Sequence, residues 1–287
     1  MKNSLSIDLE DWYHPEFVRH HIQLNPIPQI EESISSILKL FKKYDIKVTF
    51  FVLGEIAKKH SNLIKKIHAN GHEIACHSMY HIPIGDLGYK RLSTDIKEFK
   101  KIIKSILGED FNIYGFRAPT CSINENNSEY FYKCLINNNF IYDSSLVPTK
   151  FFYYGVRNTP LKIYKPNIKN LNLNDRKSKI IEVPLSITKI LNLKVPICGG
   201  FYFRLIPYTL YKILLKKINS RNTPFFIYIH PWEVYPKTFR VKEMNPIKYF
   251  VTYYGIKRNL NKIERLLEDF QFDTIKNIIK NYFFDVY

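Results

Sequence analysis

Lys47-Val48-Thr49-Phe50-Phe51-Val52-Leu53, followed by residues 55–70 and then by Glu73-Ile74-Ala75-Cys76, is the stretch that decides the fold. Its first and last pieces are short, β-branched and aromatic, and they read as strands over 47–53 and 73–76. The piece between them has a helical pattern closed by Gly71, a residue suited to a helix C-cap. A strand, a helix and another strand in succession imply a parallel sheet.

The same alternation extends in both directions. Further strands are expected over residues 5–9, 113–116, 140–142, 180–185 and 225–229. In residues 30–44 the apolar positions Ile30, Ile34, Ile37, Leu38 and Phe41 recur at helical spacing, as do Leu92, Ile96, Phe99, Ile103 and Ile106 in residues 89–107. Helices are also expected over 128–138 and 207–219, with Pro207 near a helix start. About seven strands around one core predict an α/β barrel or an open doubly wound sheet, and periodicity does not choose between them. Either way, function belongs at the C-terminal ends of the strands. Residues 158–179, rich in Lys and Asn with weak periodicity, read as a surface insertion. The expected organisation is one domain over 1–235 and a helical, basic C-terminal extension over 236–287 packed on it.

The chain has 287 residues, 45% of them hydrophobic, with 21 Tyr and 21 Phe. That is enough for a sizeable core and too apolar for disorder. Ten Gly and 15 Pro exclude a collagen-like or low-complexity chain. Lys plus Arg total 43 against 26 Asp plus Glu, a net charge of +17. This points to nucleic acid, an anionic membrane surface or a phosphorylated substrate, with solvated lysines as the plain alternative. Cys76, Cys121, Cys134 and Cys198 form no CxxC pair, which argues against a zinc ribbon and fits a reducing compartment. The N-terminal residues carry no apolar signal core, and no apolar run reaches the length of a membrane span. The expected location is cytoplasmic, peripheral at most to the inner face of the membrane.

Four constellations sit at expected strand ends. Asp8, Glu10 and Asp11 follow an apolar strand, and like charges this close need a cation to hold them together. His77 and His81 are four residues apart, a spacing that on a helical turn brings both imidazoles to one ion. Arg117, in Gly115-Phe116-Arg117-Ala118-Pro119-Thr120, can orient a carboxylate. His230 closes Ile227-Tyr228-Ile229-His230-Pro231-Trp232-Glu233 and can serve as a general acid or base. Each has a structural explanation alone; together they predict one catalytic pocket with a metal.

At these residues the sequence resembles the polysaccharide deacetylases of the NodB-homology type, in the branch whose first motif reads D-x-E-D. The resemblance runs from Leu5 to Glu233 and includes Val48–Gly54 and Gly199-Gly200-Phe201-Tyr202-Phe203-Arg204. It implies a distorted (β/α)7 barrel holding one divalent metal ion, commonly zinc. It assigns Asp8 as catalytic base, His77 and His81 as metal ligands, Arg117 as the residue orienting the base, and His230 as general acid. Asp143 falls where the family has an acid near that histidine. The metal carboxylate is Glu10 or Asp11. Thr120 stands where an aromatic residue is common, so Trp12, Tyr202 and Trp232 are further candidates for holding the sugar. The implied reaction is hydrolysis of an N-acetyl group from an N-acetylhexosamine in a glycan or lipid-linked precursor. The alternatives are a small-molecule amide hydrolase on the same fold and a non-catalytic nucleic-acid-binding protein. The latter is disfavoured because no helix-turn-helix, RNP or zinc-finger pattern is present.

Overall fold

The computed structural model describes residues 1–22, 25–150, 154–190 and 193–284. The strands are β1 (Lys2–Leu9), β2 (Thr49–Val52), β3 (Glu73–Cys76), β4 (Gly115–Phe116), β5 (Tyr142–Asp143), β6 (Pro166–Asn167), β7 (Asn170–Asn174), β8 (Ile181–Glu182), β9 (Ile187–Ile190), β10 (Leu193–Pro196), β11 (Phe226–Ile229) and β12 (Gln271–Phe272). The helices are α1 (Glu16–Arg19), α2 (Ile30–Lys43), α3 (Gly54–Lys59), α4 (Ser61–Ala69), α5 (Ile84–Leu107), α6 (Ser128–Asn137), α7 (Gly200–Leu205), α8 (Tyr208–Asn219), α9 (Pro246–Tyr253), α10 (Ile256–Asp269) and α11 (Ile275–Phe284).

Seven parallel strands, in the order β11-β1-β2-β3-β4-β5-β8, curl into a distorted (β/α)7 barrel. Between the two outer strands Ser186 makes the link. Its N–H donates to the Phe226 carbonyl (3.0 Å), and its hydroxyl accepts from the Phe226 N–H (2.8 Å). The register aligns the strand ends: Leu9 faces Val52, Val52 faces Cys76, Cys76 faces Phe116, and Phe116 faces Asp143. Everything just beyond those residues therefore emerges at one rim.

The period-two alternation of β1 divides its side chains. Leu5, Ile7 and Leu9 pack outward into the main core with Ile34, Phe41, Ile96, Phe131, Leu215 and Ile263 from the surrounding helices. Ser6 and Asp8 lie on the other face, toward the barrel interior, where Arg117 meets both. At the opposite end the interior is apolar: Phe51, Ala75, Tyr142, Val183 and Phe226 pack against Ile275, Ile278 and Ile279 of α11. There β12 pairs with Lys2 and Asn3 of β1.

Three expectations change in detail. The helix expected over 55–70 is two helices, α3 and α4, meeting at His60, whose backbone (φ −126°, ψ 50°) is not helical. Residues 158–179 contain the antiparallel pair β6–β7, turned by Asn167, whose Oδ1 accepts from the N–H groups of Lys169 (3.0 Å) and Asn170 (3.1 Å). His77 and His81 lie on no helical turn. Cys76 ends β3, and the following loop carries positive φ at Ser78 (70°) and His81 (54°). The last three residues of the expected extension lie outside the described residues.

Candidate active site

The site is built at the rim where β1, β3, β4 and β11 end. After Leu9 the chain leaves the barrel and places Glu10, 2% exposed, at the centre of three imidazoles. Its Oε1 lies 3.0 Å from His77 Nε2, 2.9 Å from His81 Nε2 and 3.6 Å from His230 Nε2. Asp8 Oδ2 is 4.0 Å from His77 Nε2. Burial disfavours the Glu10 carboxylate, but the neighbouring His81 and His230 hold it well below the usual range. Burial lowers His81 more than Glu10 raises it, which favours a neutral imidazole.

The tautomer of His77 is set from behind. Its Nδ1 is 2.8 Å from the Arg117 carbonyl, an acceptor, so Nδ1 carries the hydrogen and Nε2 presents a lone pair to Glu10. A lone pair and a carboxylate oxygen 3.0 Å apart need a proton or a cation between them. Glu10, His77 and His81 offer ligand atoms within 4.8 Å of one another, as do Asp8, Glu10 and His230. One carboxylate and two imidazoles suit a divalent ion such as zinc and leave coordination positions open.

Arg117 is fully buried and makes four hydrogen bonds. Its Nη1 donates to Asp8 Oδ1 (2.6 Å) and Ser6 Oγ (2.8 Å), its Nε to the Ser144 carbonyl (2.8 Å), and its Nη2 to Ser144 Oγ (3.0 Å). The guanidinium also lies over the Phe51 ring at 4.0 Å. A desolvated charge is tolerated when paired and hydrogen-bonded in this way, and Asp8 is fixed by the same contacts. After Arg117 the chain turns through Thr120 (φ 53°) and Cys121 (φ 50°), and Thr120 Oγ1 donates to the Pro119 carbonyl.

His230 is the member of the cluster that reaches solvent, with 17% of its side chain exposed. Its Nδ1 lies 2.8 Å from Glu233 Oε2. Burial lowers its pKa, but Glu10 and Glu233 outweigh that and push it up to about 9. Glu233 is held in turn by Arg204, Nη2 to Oε1 at 2.9 Å. Arg204 donates onward to the carbonyls of Val251 (3.0 Å) and Tyr254. The start of α7 makes room for this: a Cβ on Gly200 would sit 1.8 Å from Glu233 Oε2.

Several sequence-predicted residues have other places. Asp11 does not join the cluster. Its carboxylate accepts from the N–H groups of Trp12, Gln29 and Ile30, and so caps the start of α2. Asp143 makes no contact with His230 among the described residues. It is fully buried, accepts from Ser145 Oγ (2.6 Å) and shares a hydrogen bond with Glu182, so the acid beside His230 is Glu233. Trp12 is buried, with Nε1 donating to the Ile27 carbonyl and its ring against Phe239. Trp232 is buried too, stacked on His230 (5.3 Å, 21°), so neither indole offers an open sugar-stacking face. Tyr202 lies on α7, its hydroxyl 3.4 Å from that of Tyr154. Glu233 and Arg204 were missed as functional residues. The signal for Glu233 is its spacing, three residues after His230 across a proline turn.

Residues 25–134 match the family described as "Polysaccharide deacetylase", and residues 144–280 match a "Domain of unknown function (DUF3473)". A peptidoglycan-N-acetylglucosamine deacetylase of Bacillus cereus is 30% identical over 89 residues, which cover 31% of this chain and 40% of that protein. The chain thus spans less than half the length of that relative. Among solved structures, a putative polysaccharide deacetylase from Mycobacterium smegmatis superposes with a TM-score of 0.62 at 15% identity, covering 97% of this chain and 88% of that one. Puue allantoinase gives 0.59 at 15% identity, with 97% and 89% covered. These structures establish the fold. Over residues 25–134 the chain is thus similar to the polysaccharide deacetylases, and the superpositions extend the same barrel fold over nearly all of it.

Proposed function

We propose that this protein is a zinc-dependent deacetylase that removes the N-acetyl group from an N-acetylhexosamine in a glycan or lipid-linked glycan precursor, releasing acetate. The observation that carries the reading is the meeting of Glu10, His77 and His81 with the Arg117-bound Asp8 and with His230 at one rim. The name of the Bacillus cereus relative supports an N-acetylglucosamine substrate.

Glu10, His77 and His81 would hold the ion. When bound, it polarises the amide carbonyl and stabilises the negative charge that develops on its oxygen. Asp8 accepts the proton of the attacking water, and Arg117 keeps that carboxylate oriented. The turn at Thr120 offers a backbone N–H as a second oxyanion donor. The amine leaves only if protonated. His230 Nε2 donates that proton, while Glu233 takes the Nδ1 hydrogen and fixes the ring.

The test is metal-dependent acetate release. Chelation abolishes it and zinc restores it. Asp8→Asn and His230→Ala each lower turnover by about 10²–10⁴-fold with metal retained. His77→Ala and His81→Ala lose the metal by elemental analysis. Near wild-type acetate release from purified Asp8→Asn would overturn the assignment. A panel of N-acetylated sugars set against small cyclic amides tests the substrate class.

A further inference from the structure

Between residues 236 and 258 the chain carries six basic residues and a single acid, Glu243. The same segment turns apolar side chains to water. Ile247 is 74% exposed, Phe250 45% and Tyr254 42%, and their spacing puts them on one face of α9 and its C-cap. Phe250 and Tyr254 pack ring to ring at 4.7 Å. Tyr254 and the exposed Leu205 also line a cavity of about 830 Å³ between the end of α7 and the start of α10.

The other walls of that cavity are cationic. Arg240, Lys257, Arg258 and Arg265 line it, no Asp or Glu does, and none of the four makes an ion pair among the described residues. Arg240 and Arg265 rest over the rings of Tyr253 (5.7 Å) and Tyr208 (4.3 Å), which leaves their charge unneutralised. Lys262, turned onto the carbonyls of Phe203 and Ile206, is pushed down to about 8 by burial and by Arg265. No helix among the described residues is long and apolar enough to cross a membrane. Exposed apolar tips beside unpaired cations are instead the two features by which a protein rests on an anionic bilayer, the first among acyl chains and the second among phosphates. A nucleic acid would satisfy the cations and leave Ile247 and Phe250 in water.

We propose that this face docks the protein on an anionic phospholipid surface, with lipid phosphates entering the cavity beside α10. The proposal goes beyond the deacetylase reading and does not depend on it, since the readout is sedimentation rather than turnover. The full chain is spun with vesicles of phosphatidylcholine alone and of phosphatidylcholine with phosphatidylglycerol. It is expected to sediment with the second at low salt and to release as salt rises. Ile247→Ser with Phe250→Ser, and separately Arg240→Gln with Lys257→Gln and Arg258→Gln, are expected to lower partitioning, by about fivefold per cation removed. Thermal melts check that each variant folds, and the cation variant carries the test if the apolar one does not. Equal binding to both vesicles, or wild-type binding by both variants, overturns the proposal. So does thermal stabilisation by inorganic phosphate or pyrophosphate without vesicle binding, which assigns the cavity to a soluble phosphate. A shift in oligomeric state of the apolar variant without a change in vesicle binding also overturns it, by assigning the face to a second copy.

Discussion

Glu10 and Asp11 are adjacent carboxylates with opposite fates, and the backbone decides between them. Glu10 continues the inward alternation of β1 and meets three imidazoles, whereas Asp11 turns back to cap α2. Glu10→Gln should therefore lose bound zinc by elemental analysis while melting near the wild-type temperature. Asp11→Asn should keep the metal and lose about 1 kcal/mol of stability in urea, the typical worth of a helix cap. The reverse pattern would move the metal site to Asp11. No spacing rule separates two neighbouring acids, which is why this choice was not legible in the sequence. Asp143 was misplaced for a related reason: an acid at a strand end reads the same whether it faces a histidine or another acid. In the fold, burial raises Asp143 to about 6 and raises Glu182 as well. Below about pH 3 both are protonated in the folded and unfolded chains. As pH rises from there through about 6, the unfolded chain ionises first, so the pair progressively costs stability. Asp143→Asn should become more stable than wild type across that window, by on the order of 2 kcal/mol at pH 7 in urea denaturation. A difference independent of pH would show that the pair is not protonated in the fold.

At the scale of elements, the strand ends do the positioning. Every strand expected from β-branched and aromatic runs has its counterpart in the barrel, because a strand buried on both faces leaves a strong compositional signal. The pairs β6–β7 and β9–β10 lacked that signal: β7 is Asn-Leu-Asn-Leu-Asn, with Leu171 buried and most of its other residues exposed. The short helix α7 was also illegible, although it sets the acid end of the site. Its first residue must be glycine for Glu233 to approach, since a Cβ there would overlap the carboxylate at 1.8 Å. Gly200→Ala should displace Glu233 and free the His230 ring, lowering kcat by about tenfold or more with zinc retained. Glu233→Gln keeps the shape and removes the charge that opposes Arg204. It should lose turnover too, together with about 3 kcal/mol of stability for the buried guanidinium left unpaired. Wild-type kcat in Gly200→Ala would detach α7 from catalysis.

On the scale of the whole molecule, the barrel is finished from its C-terminus. The rim that holds Glu10 and His230 is one end; the other is closed by α11, whose Ile275, Ile278 and Ile279 pack against Phe51, Tyr142 and Phe226 from the barrel interior. Polar contacts fix the plug. The Ile275 N–H donates to Thr49 Oγ1 (2.8 Å), Thr49 donates to Glu73 (2.7 Å), and Glu73 also accepts from the Lys276 N–H and the Tyr142 hydroxyl. Basic composition and helical periodicity made this segment look like an appendage, because periodicity records which face of a helix is apolar and not what that face covers. Phe272, Ile275, Ile278 and Ile279 are each under 10% exposed. Burying each contributes roughly 1.5–3 kcal/mol, so together they rival the roughly 5–15 kcal/mol that holds a domain folded. A chain ending at Phe270 is therefore expected to be insoluble or unfolded by circular dichroism. Ile275→Ala should remain folded and lose about 2–5 kcal/mol in urea. Because Ile275 lies at the end remote from Glu10 and His230, that variant should keep its zinc and its acetate release per folded molecule below its Tm. An unchanged urea midpoint would mean that α11 does not close the barrel. Loss of zinc at full stability would mean that the two ends are coupled.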